Sequence, residues 1–369
     1  MSNPTFADKS ARPNKFNYPD WFVKTVEMNS RHQYVPGGIS VTELIDSPKV
    51  SVLRRLNKDT VTKDNDISND MWIFFGHASH YVVEQAVLYN PDDIISEKLL
   101  SAEFKIDGHP EPVTLYGTPD MFIRSLGELN DLKFTSVWSW VFQDEKTSWS
   151  AQLNVYAWLI ENIGFARATD KHVELHELLA CLKEMKKLGI GQANSVDEKI
   201  ADIEAKIAEE SKNVYYEKYK VNDIWIRMLL KDFQQSKANE GGNYPQSPFE
   251  SVQIKKYPAE TIEKYIKQRL KLHMDARNGD PQQYMCSDKE RWAKKDQFKV
   301  MPKPNAPRSL RNFDNKDDAD KYLDSIRNSN PLAFIQTIKG ESVRCKSYCP
   351  AAPFCKQYQD ELKSKIVNP

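Results

Sequence analysis

The chain has 369 residues, enough for one large or two modest domains. Lysine plus arginine and aspartate plus glutamate both number 52, so net charge gives no sign of a nucleic-acid partner, though a local basic patch remains compatible with this balance. No apolar run of about eighteen residues and no signal-peptide pattern occur, so we expect a soluble, cytoplasmic protein without a membrane partner.

The N-terminal third begins with a polar arm, residues 1–38, which is broken by prolines and has no clear period. A helix is expected after Ile39, because Ser40 and Glu43 have the spacing of a capping box. A longer helix is expected from Asp70 to about Tyr89, where an apolar run precedes several polar positions.

Strands are expected between Leu99 and Phe134. The last two form a hairpin, in which Met121–Ile123 and Leu129–Phe134 flank a turn at Ser125–Gly127.

The chemistry-bearing residues lie on this hairpin. Alternation along a strand puts Asp131 and Lys133 on one solvated face and points Leu132 into the core, and an antiparallel return brings Asp120 beside them. Two carboxylates and an amine on one face are costly to assemble unless a divalent cation lies between the acids. The sequence therefore predicts a hydrolytic metal site.

After the hairpin, a helix from Ser148 to Ile160 is expected, with Gln152 and Tyr156 on a shared face. Residues of about 168–220 show helical spacing of leucine and isoleucine with alternating charge, which predicts an inserted helical hairpin. Its role is either a solvated strut or an arm that binds a protein partner or guides DNA. Cys181 is expected to be buried there, and a core strand resumes at Asn222.

The C-terminal residues 281–369 are predicted to form a small cysteine-rich metal module. Cys345, Cys349 and Cys355 lie within eleven residues, and Cys286 is the available fourth ligand. Short strands and one helix are expected between Cys286 and Cys345, with few large apolar residues, so a bound metal would staple the unit.

Three ordered motifs resemble the PD-(D/E)xK nuclease superfamily, in particular its RecB-like exonuclease branch. The hairpin carries G-T-P-D from Gly117 and then D-L-K, the earlier helix carries G-x3-H-x3-E from Gly76, and the later helix carries Q-x3-Y. The resemblance implies an α/β fold with a restriction-endonuclease-like mixed central sheet flanked by helices. The nuclease domain would span residues 39–280.

The resemblance also implies roles for individual residues. Mg2+ or Mn2+ would be held by side chains and by one backbone carbonyl: His80, Asp120, Asp131 and the carbonyl of Leu132. Lys133 would orient the attacking water, and Gln152 and Tyr156 would line the DNA cleft, holding the substrate strand or the lysine. Glu84 and Glu103 are weaker candidates for supporting roles, and His77 lies outside the motif.

Many iron-sulfur members of this branch carry a cysteine before a proline near the domain start and a cysteine triplet at the end. This chain has Ser47 before Pro48, and its triplet begins C-x3-C rather than C-x2-C. The triplet favours a [4Fe-4S] cluster, whereas the relocated fourth cysteine, Cys286, favours zinc. Both metals therefore stay open.

The function implied by the resemblance is a divalent-metal-dependent DNA exonuclease acting in recombination, end processing or DNA degradation. The chain resembles proteins carried by bacteriophages, and the helical insertion would contact a recombination or replication protein. The alternatives are an endonuclease for flap or branched DNA and a non-catalytic DNA-binding or assembly subunit.

Overall fold

The computed structural model describes residues 12–29, 35–58, 60, 66–141, 147–167, 170–188, 190 and 193–367 of a mixed α/β protein. The helices are α1 (Asp20–Asn29), α2 (Val41–Ile45), α3 (Pro48–Leu56), α4 (Met71–Glu84), α5 (Val137–Val141), α6 (Thr147–Asn162), α7 (Asp170–Lys187), α8 (Ala193–Glu210), α9 (Gln235–Asn239), α10 (Ala259–Asn278), α11 (Asp288–Arg291), α12 (Lys316–Ile326), α13 (Val343–Ser347) and α14 (Lys356–Val367). The strands are β1 (Ile39–Ser40), β2 (Ile94–Ser96), β3 (Leu100–Phe104), β4 (Val113–Gly117), β5 (Met121–Ile123), β6 (Glu128–Thr135), β7 (Phe165–Arg167), β8 (Tyr215–Glu217), β9 (Asp223–Leu230), β10 (Phe249–Ile254), β11 (Gln297–Met301), β12 (Arg311–Phe313) and β13 (Phe334–Ile338).

The described residues divide into two compact units. The sheet unit comprises Trp21–Ile45 and Asp70–Leu270; the cysteine unit comprises the described parts of Met1–Asp20, Asp46–Asn69 and Lys271–Pro369. This division differs from the predicted ranges, which placed residues 46–69 in the 39–280 domain. The reason is tertiary, because Val50 and Leu53 of α3 pack with Cys286 and Cys355.

The central sheet of the sheet unit has five strands in the order β10-β9-β6-β5-β2. It is mixed, since β6 and β9 run parallel and the other neighbours run antiparallel. The predicted hairpin is present as β5 and β6. Strand β9 shows the period of two expected of a covered strand, with Ile224, Ile226 and Met228 buried.

Helix α6 packs against β3, β6 and β9 and supplies the largest helical share of this core. Leu153, Leu159 and Ile160 are fully buried on it. Truncating any one of them to alanine would lower the free energy of unfolding by roughly 2–5 kcal/mol.

Strands β1, β4 and β3 form a second, three-stranded sheet. The predicted cap of α2 is present, because the backbone N–H of Glu43 donates to Ser40 Oγ at 3.0 Å.

The predicted helical hairpin is present as α7 and α8, on a short antiparallel stem formed by β7 and β8. Ion pairs bridge the two helices: Lys171–Glu210, Lys183–Glu204 and Lys186–Asp197. The expectation that Cys181 is buried was wrong, because the hairpin turns Leu182 inward and leaves Cys181 exposed.

The predicted N-terminal arm lies partly outside the described residues. Its described part contains helix α1, which the sequence did not predict, with Val23 and Val26 buried and Phe22 in edge contact with Phe74. In the cysteine unit, β11, β12 and β13 form an antiparallel sheet. Among the described helices, none combines the length and apolar character needed to cross a membrane.

Candidate functional site

The two motif acids meet at the start of the β5–β6 hairpin. Met121 pairs with Asn130, so the next step along the ladder brings Asp120 beside Asp131. The backbone N–H of Leu132 donates to Asp120 Oδ2 at 2.6 Å, which fixes the Asp120 carboxylate against β6. The proximity expected from the sequence is therefore present.

Asp131 and Lys133 form an ion pair on β6. Lys133 Nζ lies 2.8 Å from Oδ2 and 3.0 Å from Oδ1 of Asp131. The Asp131 side chain is only 3% exposed, so the expectation of a solvated face was wrong at this position. This strand lies inside the sheet between β5 and β9, and helix α6 packs against it. Lys133 Nζ also lies 6.0 Å from the ring centroid of Trp149 on the same helix.

Burial and like charge set the protonation of these groups. The pKa of Asp120 rises from 3.8 to about 7, first because the carboxyl is buried and second because Asp131 repels its charge. Burial lowers the pKa of Lys133, but Asp131 and Asp120 outweigh it and the pKa is raised. Lys133 is therefore a permanent cation in this site.

His80 reaches the acids from α4. Its Nε2 lies 3.1 Å from the carbonyl oxygen of Leu132, a distance at which the ring N–H donates to that oxygen. Its Nδ1 faces Asp120 Oδ1 at 3.7 Å and Glu97 Oε1 at 3.6 Å. Burial lowers the pKa of His80, but the neighbouring carboxylates of Glu97 and Asp120 outweigh this effect and raise the pKa above its ordinary value.

Glu97 is a site residue that the sequence reasoning missed. It follows β2 with a left-handed backbone (φ +47°), and its backbone N–H donates to the carbonyl of Pro119 at 3.2 Å. Ser96 Oγ donates to the Asp120 carbonyl at 2.7 Å, which joins the end of β2 to the Asp120 loop. No spacing motif marks Glu97; the one signal is an acid two positions after the apolar pair Ile94–Ile95 of β2.

Among the described residues, His80, Glu97 and Asp120 form a group whose ligand atoms all lie within 4.8 Å of one another. Imidazole nitrogen and carboxylate oxygen both suit Mn2+, and carboxylates suit Mg2+. A ring held by an Nε2–H bond to a backbone carbonyl is the usual arrangement of a metal-binding histidine. The geometry thus supports a cation at Nδ1 of His80.

This donor group differs from the set that the family resemblance implied. Asp131 points at Lys133, and the Leu132 carbonyl accepts from His80. Glu84 lines the same cavity as His80 and Glu97, and its pKa is raised by burial and then by Glu97.

Other expected residues lie elsewhere. Glu103 is exposed on β3 of the second sheet, outside the carboxylate cluster, and His77 is also outside it.

Tyr156 and Gln152 interact with each other on α6, as their spacing suggested. Tyr156 is buried, and burial raises the pKa of its hydroxyl; whether the pair lines a DNA cleft stays a prediction. A Cβ at Gly117 would lie 2.7 Å from Tyr156 Cε1, so the motif glycine makes room for this ring. Tyr156 therefore packs against the end of β4 at Gly117.

The four predicted cysteines line one pocket within the cysteine unit. Cys286, Cys355 and Ala351 pack with Val50 and Leu53 of α3 in a small apolar core. Ser47, which precedes Pro48, places its Oγ 3.1 Å from Cys286 Sγ. The fold therefore places the predicted fourth cysteine ligand beside Ser47.

The electrostatics of this pocket suit a metal held by thiolates. The pKa of Cys345 rises to about 11, first through burial and then through the neighbouring cysteines, and burial likewise raises the pKa of Cys286 and Cys349. Lys49 and Arg344 also line the pocket, and Arg344 pairs with Asp46 at 2.7 Å. A metal bound there would displace the thiol protons, and Lys49 and Arg344 would offset the net negative charge of a centre held by four thiolates.

Comparison with known proteins gives little further information. No family model matches the chain, and no curated protein matches it. A solved structure, described as "Crystal structure of SSO0001", is similar over 69% of this chain and 85% of its own, with 14% identity and a TM-score of 0.37. A likeness this low carries no conclusion about fold or function.

Proposed function

We propose that this protein is a divalent-cation-dependent deoxyribonuclease that removes nucleotides from DNA ends, built on a restriction-endonuclease-like sheet of the RecB-like branch. The observation that carries the proposal is the convergence of His80, Glu97 and Asp120 beside the buried Asp131–Lys133 pair. A scaffold protein has no use for this set, because three acids, an imidazole and an ammonium group in one partly buried place cost stability.

The proposed site would hold Mg2+ or Mn2+ through His80, Glu97 and Asp120. A cation bound there would offset the negative charge of the scissile phosphate and favour deprotonation of a water molecule. The Leu132 carbonyl orients the His80 ring.

Asp131 holds the Lys133 ammonium at 2.8 Å, where it can orient the attacking water and offset charge that develops on the phosphate oxygens. Removal of Lys133 would thus leave cation binding largely intact and slow the chemical step.

The cysteine unit would carry a structural metal on Cys286, Cys345, Cys349 and Cys355. Zinc at about 2.3 Å from each of four tetrahedral sulfurs would bring those sulfurs to roughly 3.8 Å from one another. Among the described residues, no three of these cysteines have sulfurs mutually within 4.8 Å. A [4Fe-4S] cube binds each thiolate at a separate iron and holds the sulfurs farther apart. We therefore favour the cluster over zinc.

Digestion of end-labelled linear DNA with Mg2+ or Mn2+ tests the nuclease proposal. We expect release of the label by the wild type and its loss in Lys133→Ala and Asp131→Ala. Lys105→Ala, which removes an exposed lysine after β3 of the same unit, is the matched control and should retain activity. Full activity in both variants would show that Asp131 and Lys133 are not part of the active site.

Two further substrates separate the alternatives. Covalently closed circular DNA should remain intact if the enzyme needs an end, whereas its cleavage, or preferred cleavage of flap DNA, would identify an endonuclease. DNA binding without cleavage across several metals would favour a non-catalytic subunit.

A further inference from the structure

Helix α4 carries His80 and also an aromatic surface that the nuclease chemistry does not use. No side chain of this apolar helix is fully buried. Trp72 is 57% exposed and Phe75 is 45% exposed. Apolar side chains held in solvent on one helix mark a binding surface.

This surface is continuous with the candidate site. Phe75 packs against Phe134, the residue after Lys133, with ring centroids 6.5 Å apart, and Trp72 lies 5.9 Å from Phe75. Lys231 places its Nζ 3.6 Å from the centroid of the Trp72 ring. We call Trp72, Phe75, Phe134 and Lys231 the aromatic ledge.

The ridge between the ledge and the site is open. Trp72, Gly76 and His80 follow one another at intervals of four residues, so they share one ridge of α4. A Cβ at Gly76 would meet no atom within 4 Å in the described part of the chain, so the ridge is open at this position between Trp72 and His80. Eight residues of helix span about 12 Å, room for a few nucleotides of a strand that ends at His80.

The charge of the ledge favours a polyanion over an apolar protein surface. Lys231 forms no ion pair with an acid in the described part of the chain, so its ammonium is available to a phosphate. Burial of this cation under an apolar partner would instead incur a desolvation cost. Aromatic rings beside a cation that has no acidic partner in the described part of the chain are the combination that binds single-stranded nucleic acid, by base stacking and phosphate contact.

We infer that the aromatic ledge binds unpaired bases, so that the substrate strand reaches the His80 site single-stranded. This rests on the proposed nuclease function for the identity of the site, but not for the binding itself. Bases in a duplex already stack on one another and do not present free faces to a protein ring.

Binding measured in EDTA, where cleavage is absent, tests the ledge independently of activity. Fluorescence anisotropy would compare a labelled single-stranded oligonucleotide with the blunt duplex of the same sequence. We expect the wild type to bind the single strand more tightly than the duplex. Trp72→Ala should raise the Kd for the single strand at least about fivefold. Trp72→Phe should recover most of the affinity, and Lys231→Ala should lower the salt slope by about 0.7.

Tyr89→Ala is the matched control, because Tyr89 is 90% exposed just beyond the same helical segment and lies outside the ledge. Its Kd should stay within about twofold of the wild type. Circular dichroism of each variant would establish that the fold is retained.

The outcomes separate the two proposals. Digestion of DNA by the wild type, with unchanged single-strand affinity in Trp72→Ala, would overturn the ledge and leave the nuclease standing. Single-strand binding that Trp72→Ala weakens, without any digestion of DNA, would overturn the nuclease proposal and leave the aromatic ledge standing. Preference for the duplex, or self-association of the chain that Trp72→Ala abolishes, would also overturn the ledge.

Discussion

Replacing Asp120 with asparagine is expected to stabilise the cation-free protein. In the folded chain the carboxyl is 19% exposed, and burial followed by repulsion from Asp131 raises its pKa from 3.8 to about 7. Asparagine keeps an oxygen that can accept the Leu132 N–H but carries no charge. The change therefore removes an electrostatic cost that a functional site retains.

The magnitude follows from the pKa. A rise of about three units at about 1.4 kcal/mol per unit corresponds to a cost on the order of 4 kcal/mol when the folded carboxyl is ionised. The unfolded chain ionises Asp120 near its ordinary pKa, whereas the folded chain does so only near 7. Stability is thus lost as pH rises through this interval, and the cost is complete above it.

Urea unfolding in EDTA at about pH 5.5 and about pH 8.5 measures this effect. We expect the gain in free energy of unfolding from Asp120→Asn to be larger at the higher pH by roughly 2 kcal/mol. Asp93→Asn is the control with the opposite sign, because hydrogen bonds from Ser125 lower the pKa of Asp93. An Asp120→Asn gain that does not grow with pH would refute the crowding of Asp120 against Asp131.

Three further changes test other parts of the molecule. Glu97→Gln should weaken Mn2+ binding at least about tenfold in calorimetric titration, and unchanged affinity would exclude Glu97 as a ligand. Gly117→Ala should lower the melting temperature and the DNA-cleavage rate together, at a cost of roughly 1–3 kcal/mol, because its Cβ collides with Tyr156; a variant as stable as the wild type would contradict this contact. Cys286→Ser should lower the iron content and visible absorbance of anaerobically purified protein, whereas the exposed Cys181→Ser should not; zinc in place of iron would exclude the cluster.

Local sequence accounts well for the elements on which the site is built. Period-two alternation with a glycine-containing turn predicts β5 and β6, and helical spacing predicts α6 and the α7–α8 hairpin. Helix α1 was missed, because its short apolar pattern lies between prolines and becomes decisive only when Val23 and Val26 are buried. The pairing of Asp120 with Asp131 was predictable because an antiparallel hairpin is a local structure.

The donor group itself was less predictable, because it depends on contacts between distant segments. Glu97 enters the site through the pairing of β2 with β5 and through a left-handed residue at the strand end, neither of which any motif spacing encodes. Glu103 was a candidate for a supporting role because it precedes the hairpin closely in the chain, but its strand, β3, pairs in the other sheet. Likewise, only packing reveals that Tyr156 is buried.

By itself, the sequence determined the chemical inventory and its local order: which acids, which lysine, which histidine and which cysteines lie on which helices and strands. The tertiary structure decided which of them meet. It placed Glu97, rather than the predicted Asp131, in the group of possible cation ligands with His80. It also brought Ser47 into contact with Cys286, which lies 239 positions later in the chain. Periodicity and turn chemistry act over a few residues. Ligand groups form where the burial of a shared apolar core brings distant segments together, and the free energy of that burial comes from residues throughout the chain.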